Sequence, residues 1–492
     1  MKRKFSRVLL LTLFTVCTAV CGLGAVDAAV PYQSYNYDSW QNVIPAPISY
    51  EPDRAVSGAD IAGVAGFSAP SDMEIDGSGN FYIADTGNNR IVVLNPDFTL
   101  KKTISTFRNK GADDTFQEPG GVAVDEAGRI HVADTKNHRI VSLNPDGTLQ
   151  RVFDAGKSTL LGKNFVFLPS RIGLDGANRY YVIAANQTNG IMCFDAKGAF
   201  TGFFGSLKVQ PSFSERFWKM LATQAQRSQM ALFVPTEFTS LQLDQDGFVY
   251  ATGGEESDTQ TIHKLNPSGK DVLVNYTSKP ICGDLQYRLR GTHSGPTKFV
   301  DLTVREKGMY SALDSTRGRV FTYDSEGNLL YVFGGIGNQL GTFKQPVAIA
   351  SRNDILYVLD QARGQIVVFQ PSRYGGLINQ AIGLRYDGDE SQAVACWNEV
   401  LKLDSHYELA YAGIGKSLLS ENRNREAMTY LKKGMDKRNY SIAFHRYRNE
   451  WMRAHGFQVT IILCAVIVFF MARSLLRKHR AKGRNGRIVS AE

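Results

Sequence analysis

Asp72, Arg171, Glu237, Lys298 and Asp301 are the charged residues best placed to do chemistry, because each lies at or near the start of the first strand of a repeated unit. Such starts, gathered in one mouth, would form a ring of mixed charge without histidine. Oxygen donors from Asp72, Glu237 and Asp301 would suit calcium, which takes about six to eight oxygen ligands, provided that the three converge. Zinc would need convergent histidines instead. His131 falls mid-unit, His138 in a turn, and His263 and His293 in the fourth and fifth units, so no two share a repeat position. A nucleophile elbow, a phosphate-binding glycine loop and an HExxH helix are all missing. Gly334-Gly335-Ile336-Gly337 has no helix after it, which disqualifies it as a dinucleotide fingerprint. The residues favour a ligand-binding mouth over a catalytic one, and no cofactor is expected.

The units that position these residues are read from internal repetition. Pro70-Ser71-Asp72-Met73-Glu74-Ile75-Asp76 matches Pro119-Gly120-Gly121-Val122-Ala123-Val124-Asp125. Each leads past a glycine turn into a second matched stretch, Phe81–Thr86 and Ile130–Thr135, and then a third, Asn89–Pro96 and His138–Pro145. These are alternating apolar strands separated by Gly, Asn and Asp turns. Weaker copies start at Pro169, Pro235, Pro296 and Pro346, so successive prolines are 49, 50, 66, 61 and 50 residues apart. Six such units suit a radial arrangement in which each sheet covers its neighbour, since one unit alone could not bury both apolar faces. Asp85/Arg90, Asp134/Arg139 and Asp314/Arg319 recur at a five-residue spacing. Recurrence in unit after unit favours a structural role, each pair spanning a turn and satisfying its amides and carbonyls, over a charged ligand ring.

The stretches GNFYIADTGNNRIVVLNPDF and GRIHVADTKNHRIVSLNPDG resemble the NHL repeat, which implies a six-bladed β-propeller over about residues 60–372. The match is weakest in the fourth unit, where VYATGGEESDTQTIHKLNPSG carries a longer loop. The resemblance constrains the fold far more than the function, because propellers host enzymes, receptors and scaffolds alike. Likeness to the calcium-dependent lactonases among propeller enzymes would need a convergent Glu/Asn/Asp cluster, and likeness to the amidating lyases would need histidines converging on zinc, which no shared repeat position supplies. Exported NHL proteins of Gram-positive bacteria look similar, and that likeness implies a membrane transport protein as partner.

Residues 1–29 read as a signal peptide, with Lys2, Arg3, Lys4 and Arg7 ahead of the apolar run Val8–Val20. Residues 456–476 read as a transmembrane helix, since about twenty residues reach roughly 30 Å. A basic tail, 477–492, follows and is expected in the cytoplasm by the positive-inside bias, leaving the N-terminal side outside. The chain carries +9, of which residues 1–30 supply +3 and residues 473–492 supply +6, so the remainder is neutral. The basic balance therefore belongs to targeting and anchoring and gives no reason to expect nucleic-acid binding. Cys193, Cys282 and Cys396, the cysteines outside the signal and the span, are odd in number and lack metal-like spacing.

Two segments stand outside the repeat. Residues 30–59 form a Tyr/Pro-rich lead-in, and Pro31–Asp53 within it is expected to supply the last blade's closing strand. A helical insertion is expected near 206–233, with Ser212 and Glu215 as a capping box and Phe213, Phe217, Met220, Leu221 and Met230 on one face. Trp40, Phe217 and Trp218 are the candidate stacking platforms for a carbohydrate. Residues 373–455 change to a helical period, with a spacing of 34 in Leu377/Tyr411, Ala381/Gly415, Leu384/Leu418, Ala393/Ala427 and Trp397/Leu431. This is similar to a pair of tetratricopeptide repeats and would serve as a stalk. The combined expectation is a single-pass, membrane-anchored extracellular protein. Its propeller face would recognise a protein, peptide or wall polymer, with a calcium- or zinc-dependent hydrolase or lyase at the channel mouth as the alternative.

Overall fold

The computed structural model describes residues 30–162, 164–185, 187–205, 237–253, 261–273 and 281–485. The expected signal peptide and the expected helical insertion with Phe217 and Trp218 lie outside the described residues.

Each unit folds as a small antiparallel sheet, and six sheets make a six-bladed β-propeller. The second strand of each blade is buried along its whole length or nearly so, as in Phe81–Asp85, Ile130–Asp134 and Tyr310–Asp314. A strand sandwiched between two neighbouring blades has no solvent face, so both its odd and even residues are apolar or hydrogen-bonded. The first strand is the innermost, and in blades two to six it begins with a register shift, for example between Pro119 and Gly121 and between Phe299 and Asp301. The turn after it repeats one device. Asp76 Oδ1 accepts the amides of Ser78 and Asn80, both at 2.9 Å, and Asp125, Asp175 and Asp244 do the same in their blades, while in blade five the device, on Asp324, sits instead between the third and fourth strands.

The ring closes through the lead-in. Tyr50–Ser57 pairs antiparallel with Gln365–Pro371 and becomes the outer strand of blade six. Tyr35–Tyr37 and Val43–Pro45 form a hairpin that extends blade five beyond Leu329–Phe333. The lead-in thus closes the last blade as expected and also widens the fifth. Blade four, the weakest copy, shows three described strands with an added bridge between Leu265 and Asp271.

Five helices follow: α1 (Arg373–Tyr386), α2 (Glu390–Leu403), α3 (Glu408–Ser420), α4 (Asn424–Lys433) and α5 (Lys437–Asn485). Strand gives way to helix near 373, but the compact units divide one helix later, between Tyr386 and Asp387. The cause is polar: Tyr331 donates to Asn379 Oδ1 at 2.7 Å, and Asn379 Nδ2 donates to Asp354 Oδ1 at 2.9 Å, which ties α1 to blades five and six. In the second unit the small residues sit where helices touch. A Cβ on Gly415 would meet Leu431 Cγ at 2.6 Å, and one on Gly413 would meet Trp397 Nε1 at 2.4 Å. The expected boundary between stalk and span at 455/456 is not a break in structure, because α5 runs through it without interruption. This helix contains a stretch long and apolar enough to cross a membrane, none of it buried within the protein.

Candidate functional site

The innermost strand of each blade is an edge strand, so its inward amides and carbonyls have no ladder partner and must be satisfied otherwise. The residues that begin these strands occupy one register position. Asp72, Gly121, Arg171, Ser240, Asp301 and Ala348 pair with Ala84, Ala133, Ile183, Thr252, Leu313 and Leu359 of the second strands. Two residues further along, Glu74, Ala123, Gly173, Gln242, Thr303 and Ala350 form the next tier.

Side chains of this ring reach into the next blade. Asp72 Oδ2 accepts the Val122 amide at 2.9 Å, Asp301 Oδ2 accepts the Ile349 amide at 2.7 Å, and Gln242 Oε1 accepts the Val304 amide at 2.5 Å. The hydroxyl of Ser240 donates to the other oxygen of Asp301. Arg171 crosses the channel: Nη1 donates to Gly120 O in blade two at 3.0 Å, and Nη2 points to Val347 O in blade six at 3.4 Å. Its Nε lies 3.8 Å from Asp72 Oδ1. Asp72, Arg171 and Asp301 are therefore brought together as one charged cluster.

Glu237 and Lys298 are not part of that cluster. Both side chains are exposed. The backbone of Lys298 serves the blade, its amide donating to Asp314 Oδ1 at 3.0 Å. Glu237 stands on the wall of a cavity of about 330 Å³ at the mouth, which Arg171, Ser71, Thr239, Val347 and Gln361 also line. Among the described residues no three His, Cys, Asp or Glu side chains are grouped to hold a metal ion, so Glu237 does not complete a ligand set with Asp72 and Asp301. A cation placed among the channel carboxylates would also face the guanidinium of Arg171.

Glu74, Ser240 and Gln242 join the site without having been singled out by sequence. The signal for Glu74 is its phase, an acid two residues after Asp72 on a strand whose alternate residues share a side. Burial pushes the Glu74 carboxyl up to about 8, and the charges of Asp72 and Asp301 add to the rise. Burial likewise raises Asp301 to about 7, with Arg171 opposing and Asp72 reinforcing the shift. Burial raises Asp72 as well, against the pull of Arg171. The channel thus holds carboxyl groups that change protonation around neutral pH, pinned by one arginine.

The recurrent Asp/Arg pairs prove structural in two blades. Arg90 Nε meets Asp85 at 2.7 Å and Arg139 Nε meets Asp134 at 2.8 Å, while the second aspartate oxygen takes the amide of Ser68 or Gln117, each at 2.7 Å. In blade five the expected Asp314/Arg319 pair does not form. Arg319 turns to Asp284 at 2.6 Å, a buried acid on the loop between blades four and five, and Asp314 accepts the amides of Lys298 and Thr316. His131 lies in line between Ser142 (2.9 Å) and Asp125 (3.3 Å), an arrangement resembling a catalytic triad. Ser142 is fully buried between blades and its hydroxyl meets Tyr180, so no substrate can reach it.

Residues 116–142, which span the inner and second strands of blade two and most of its third, match the NHL repeat model. The chain is a six-bladed β-propeller carrying an NHL repeat. Among solved structures it is similar to virginiamycin B lyase from Staphylococcus aureus, at 13% identity and a TM-score of 0.40 over 65% of this chain and 99% of that one. It is also similar to a protein of unknown function from Bacteroides thetaiotaomicron, at 13% identity and a TM-score of 0.42 over 69% of this chain and 76% of that one. No curated protein sequence matches the chain.

Proposed function

We propose that this NHL-repeat propeller is a non-enzymatic binding protein. It is anchored by α5 in the cytoplasmic membrane with its propeller outside and its basic tail inside. The propeller mouth recognises a protein, peptide or wall polymer and serves as an accessory to a membrane transport complex. The observation that supports a binding role is how the channel charges are used. Asp72 and Asp301 direct oxygens to the edge amides of Val122 and Ile349, and Arg171 braces opposite blades, so the cluster holds the ring together while presenting a cavity with Arg171 and Glu237 on its walls. No cofactor and no nucleic acid belong to this reading.

One observation favours the alternative, a calcium- or zinc-dependent hydrolase or lyase at the channel mouth. Glu74 is held protonated near neutral pH, the form a general acid needs. Metal analysis of the detergent-purified full chain, with thermal unfolding followed with and without EDTA, separates the two. Absence of metal and an unchanged midpoint are expected. A stoichiometric divalent ion whose removal lowers the midpoint would overturn the binding reading. Cross-linking on intact cells then tests the partner: a membrane protein or wall polymer should be captured, and less of it by the Glu237→Lys chain.

A further inference from the structure

The mouth cavity lies where the repeat is broken. In blades one, two, five and six the second strand ends in a fully buried aspartate: Asp85, Asp134, Asp314 or Asp360. Each accepts an amide of the segment leading into its own inner strand, from Ser68 and Gln117 at 2.7 Å and from Lys298 and Gln345 at 3.0 Å. Blades three and four end the same strand in Ala184 and Gly253, which pair with Pro169 and Phe238 as Asp134 pairs with Pro119. The cavity lies against these two blades, with Ile183, Ala184, Glu237 and Phe238 on that wall. The departure from the repeat coincides with the opening, so the cavity is a feature of this chain rather than of the fold.

Most polar groups around the cavity are committed to the blades. Ser71 Oγ donates to Gly120 O at 2.9 Å, Ser170 Oγ to Ile183 O at 3.1 Å and Thr239 Oγ1 to Phe299 O at 2.8 Å. Gln361 Nε2 donates to Pro70 O at 3.2 Å, and its Oε1 accepts from Gln345 at 2.7 Å. Arg171 and Glu237 remain. The carbonyls that hold Arg171 belong to Gly120, Ser170 and Val347, each one residue before the ring position of its strand. The guanidinium therefore lies on the mouth side, and it lines the cavity whereas Asp72 and Asp301 do not. Its contact with Gly120 O is 3.0 Å, but those with Ser170 O and Val347 O are 3.4 Å, and Nε is buried without a partner. Glu237 is exposed and has no hydrogen bond or ion pair among the described residues.

A guanidinium held by long contacts can exchange them for a carboxylate, whose charge-assisted bonds are about twice as strong as neutral ones. The acid beside it calls for a cation. At about 330 Å³ the cavity is at the small end of ligand pockets, and Ile183, Val300 and Val347 give it apolar sides. A neutral glycan fits this lining poorly. The hydroxyls it would pair with already serve carbonyls, and Phe238 is 5% exposed and offers no face for stacking. Trp40, 74% exposed on the edge hairpin of blade five, does not line the cavity.

We propose that the mouth binds a small zwitterion, its carboxylate on Arg171 and its ammonium on Glu237, the chemistry shared by a free amino acid and a short peptide. This rests on the binding role proposed above and narrows its ligand to one with a charge of each sign.

The test is calorimetric titration of the detergent-purified full chain with leucine, leucyl-leucine, the N-acetyl and amide forms of that dipeptide, and a tetramer of N-acetylglucosamine. Leucine or leucyl-leucine should bind, and the tighter of the two identifies the source. Blocking either end should weaken binding roughly ten- to a hundred-fold, the range for loss of one charge-assisted bond. Glu237→Gln, at an exposed position, should weaken the unblocked compound by a similar factor and leave the N-acetyl form unchanged, since that form has no ammonium to lose. Arg171 also braces the blades, so its role is read from the amide form rather than from a variant. No binding of either zwitterion, equal binding of blocked and unblocked forms, or preference for the saccharide would overturn the inference. A stoichiometric divalent ion would instead remove the binding role itself, whereas a metal-free chain that ignores both zwitterions loses only this ligand.

Discussion

Asp301 and Ile349 sit in different blades, yet the carboxylate of the first accepts the backbone amide of the second at 2.7 Å. The bond converts the bare inner edge of blade six into a satisfied one, and Asp72 does the same for blade two. Replacing Asp301 by Ala should leave the Ile349 amide without a partner and should remove the acceptor for Ser240. The expected loss is about 1–3 kcal/mol of stability, read as a lower denaturant midpoint. An unchanged midpoint would mean that the inner edge is not held by this carboxylate.

The channel acids should make the propeller less stable as pH rises. Glu74 is raised to about 8 and Asp301 to about 7, whereas unfolded Glu and Asp titrate near about 4.3 and 3.9. Between those values the folded chain binds more protons than the unfolded one, so unfolding free energy falls with increasing pH. The decline should run from about pH 4 to about pH 8 and then level off. Glu74→Gln should flatten its upper part, on the order of a few kcal/mol between pH 5 and 8, in unfolding measurements across that range. A wild-type and variant pair with parallel profiles would place Glu74 in ordinary solvent.

Tyr50 links the closing strand to the rest of the molecule. Its hydroxyl donates to Asp354 O at 2.8 Å and accepts from Arg305 at 2.9 Å, while its ring stacks on Phe333 with centroids 4.8 Å apart. Tyr50→Phe keeps the stack and removes the hydroxyl from a buried guanidinium. A loss of about 1–3 kcal/mol is expected, together with faster amide exchange in Tyr50–Ser57. Exchange confined to other strands would argue that closure depends on the ladder alone.

In the helical unit, Gly415→Ala should be costly although alanine is the better helix former. The added methyl meets Leu431 Cγ at 2.6 Å and its backbone nitrogen at 3.0 Å, so α3 and α4 must separate. Overpacking of this kind costs about 1–3 kcal/mol. Helical circular dichroism during thermal unfolding of the full chain should show an earlier loss for the variant, with the β signal unchanged.

Much of the architecture is legible in the chain because repetition fixes phase. Once Pro70 and Pro119 are aligned, Asp72, Arg171 and Asp301 fall at or near equivalent strand starts, and the structure brings them together. Glu237 and Lys298 also lie two residues after a proline, but in blades four and five the strand position held by Pro119 and Pro169 is taken by Phe238 and Phe299, three residues past Pro235 and Pro296, so Ser240 and Asp301 stand in the ring instead. Extra residues between the proline and the strand are invisible to an argument that counts from the proline, and an odd offset also moves the counted side chain to the other face of the strand. Arg319 escapes in a different way: its partner Asp284 comes from a loop that no repeat describes. The continuity of α5 across 455/456 is likewise hidden, because composition changes there while helical geometry does not.

Closure by Tyr50–Ser57 also sets the order of events in biosynthesis. This strand is among the first segments of the propeller to emerge, and its partner, Gln365–Pro371, is the last. Until synthesis passes that point the ring stays open, with a raw edge on the sixth blade and an unpaired strand at the start. Any truncation before residue 365 therefore yields a product with two adhesive ends rather than a smaller propeller. Such a fragment is a ready substrate for quality-control proteases, so completion of the chain acts as its own checkpoint.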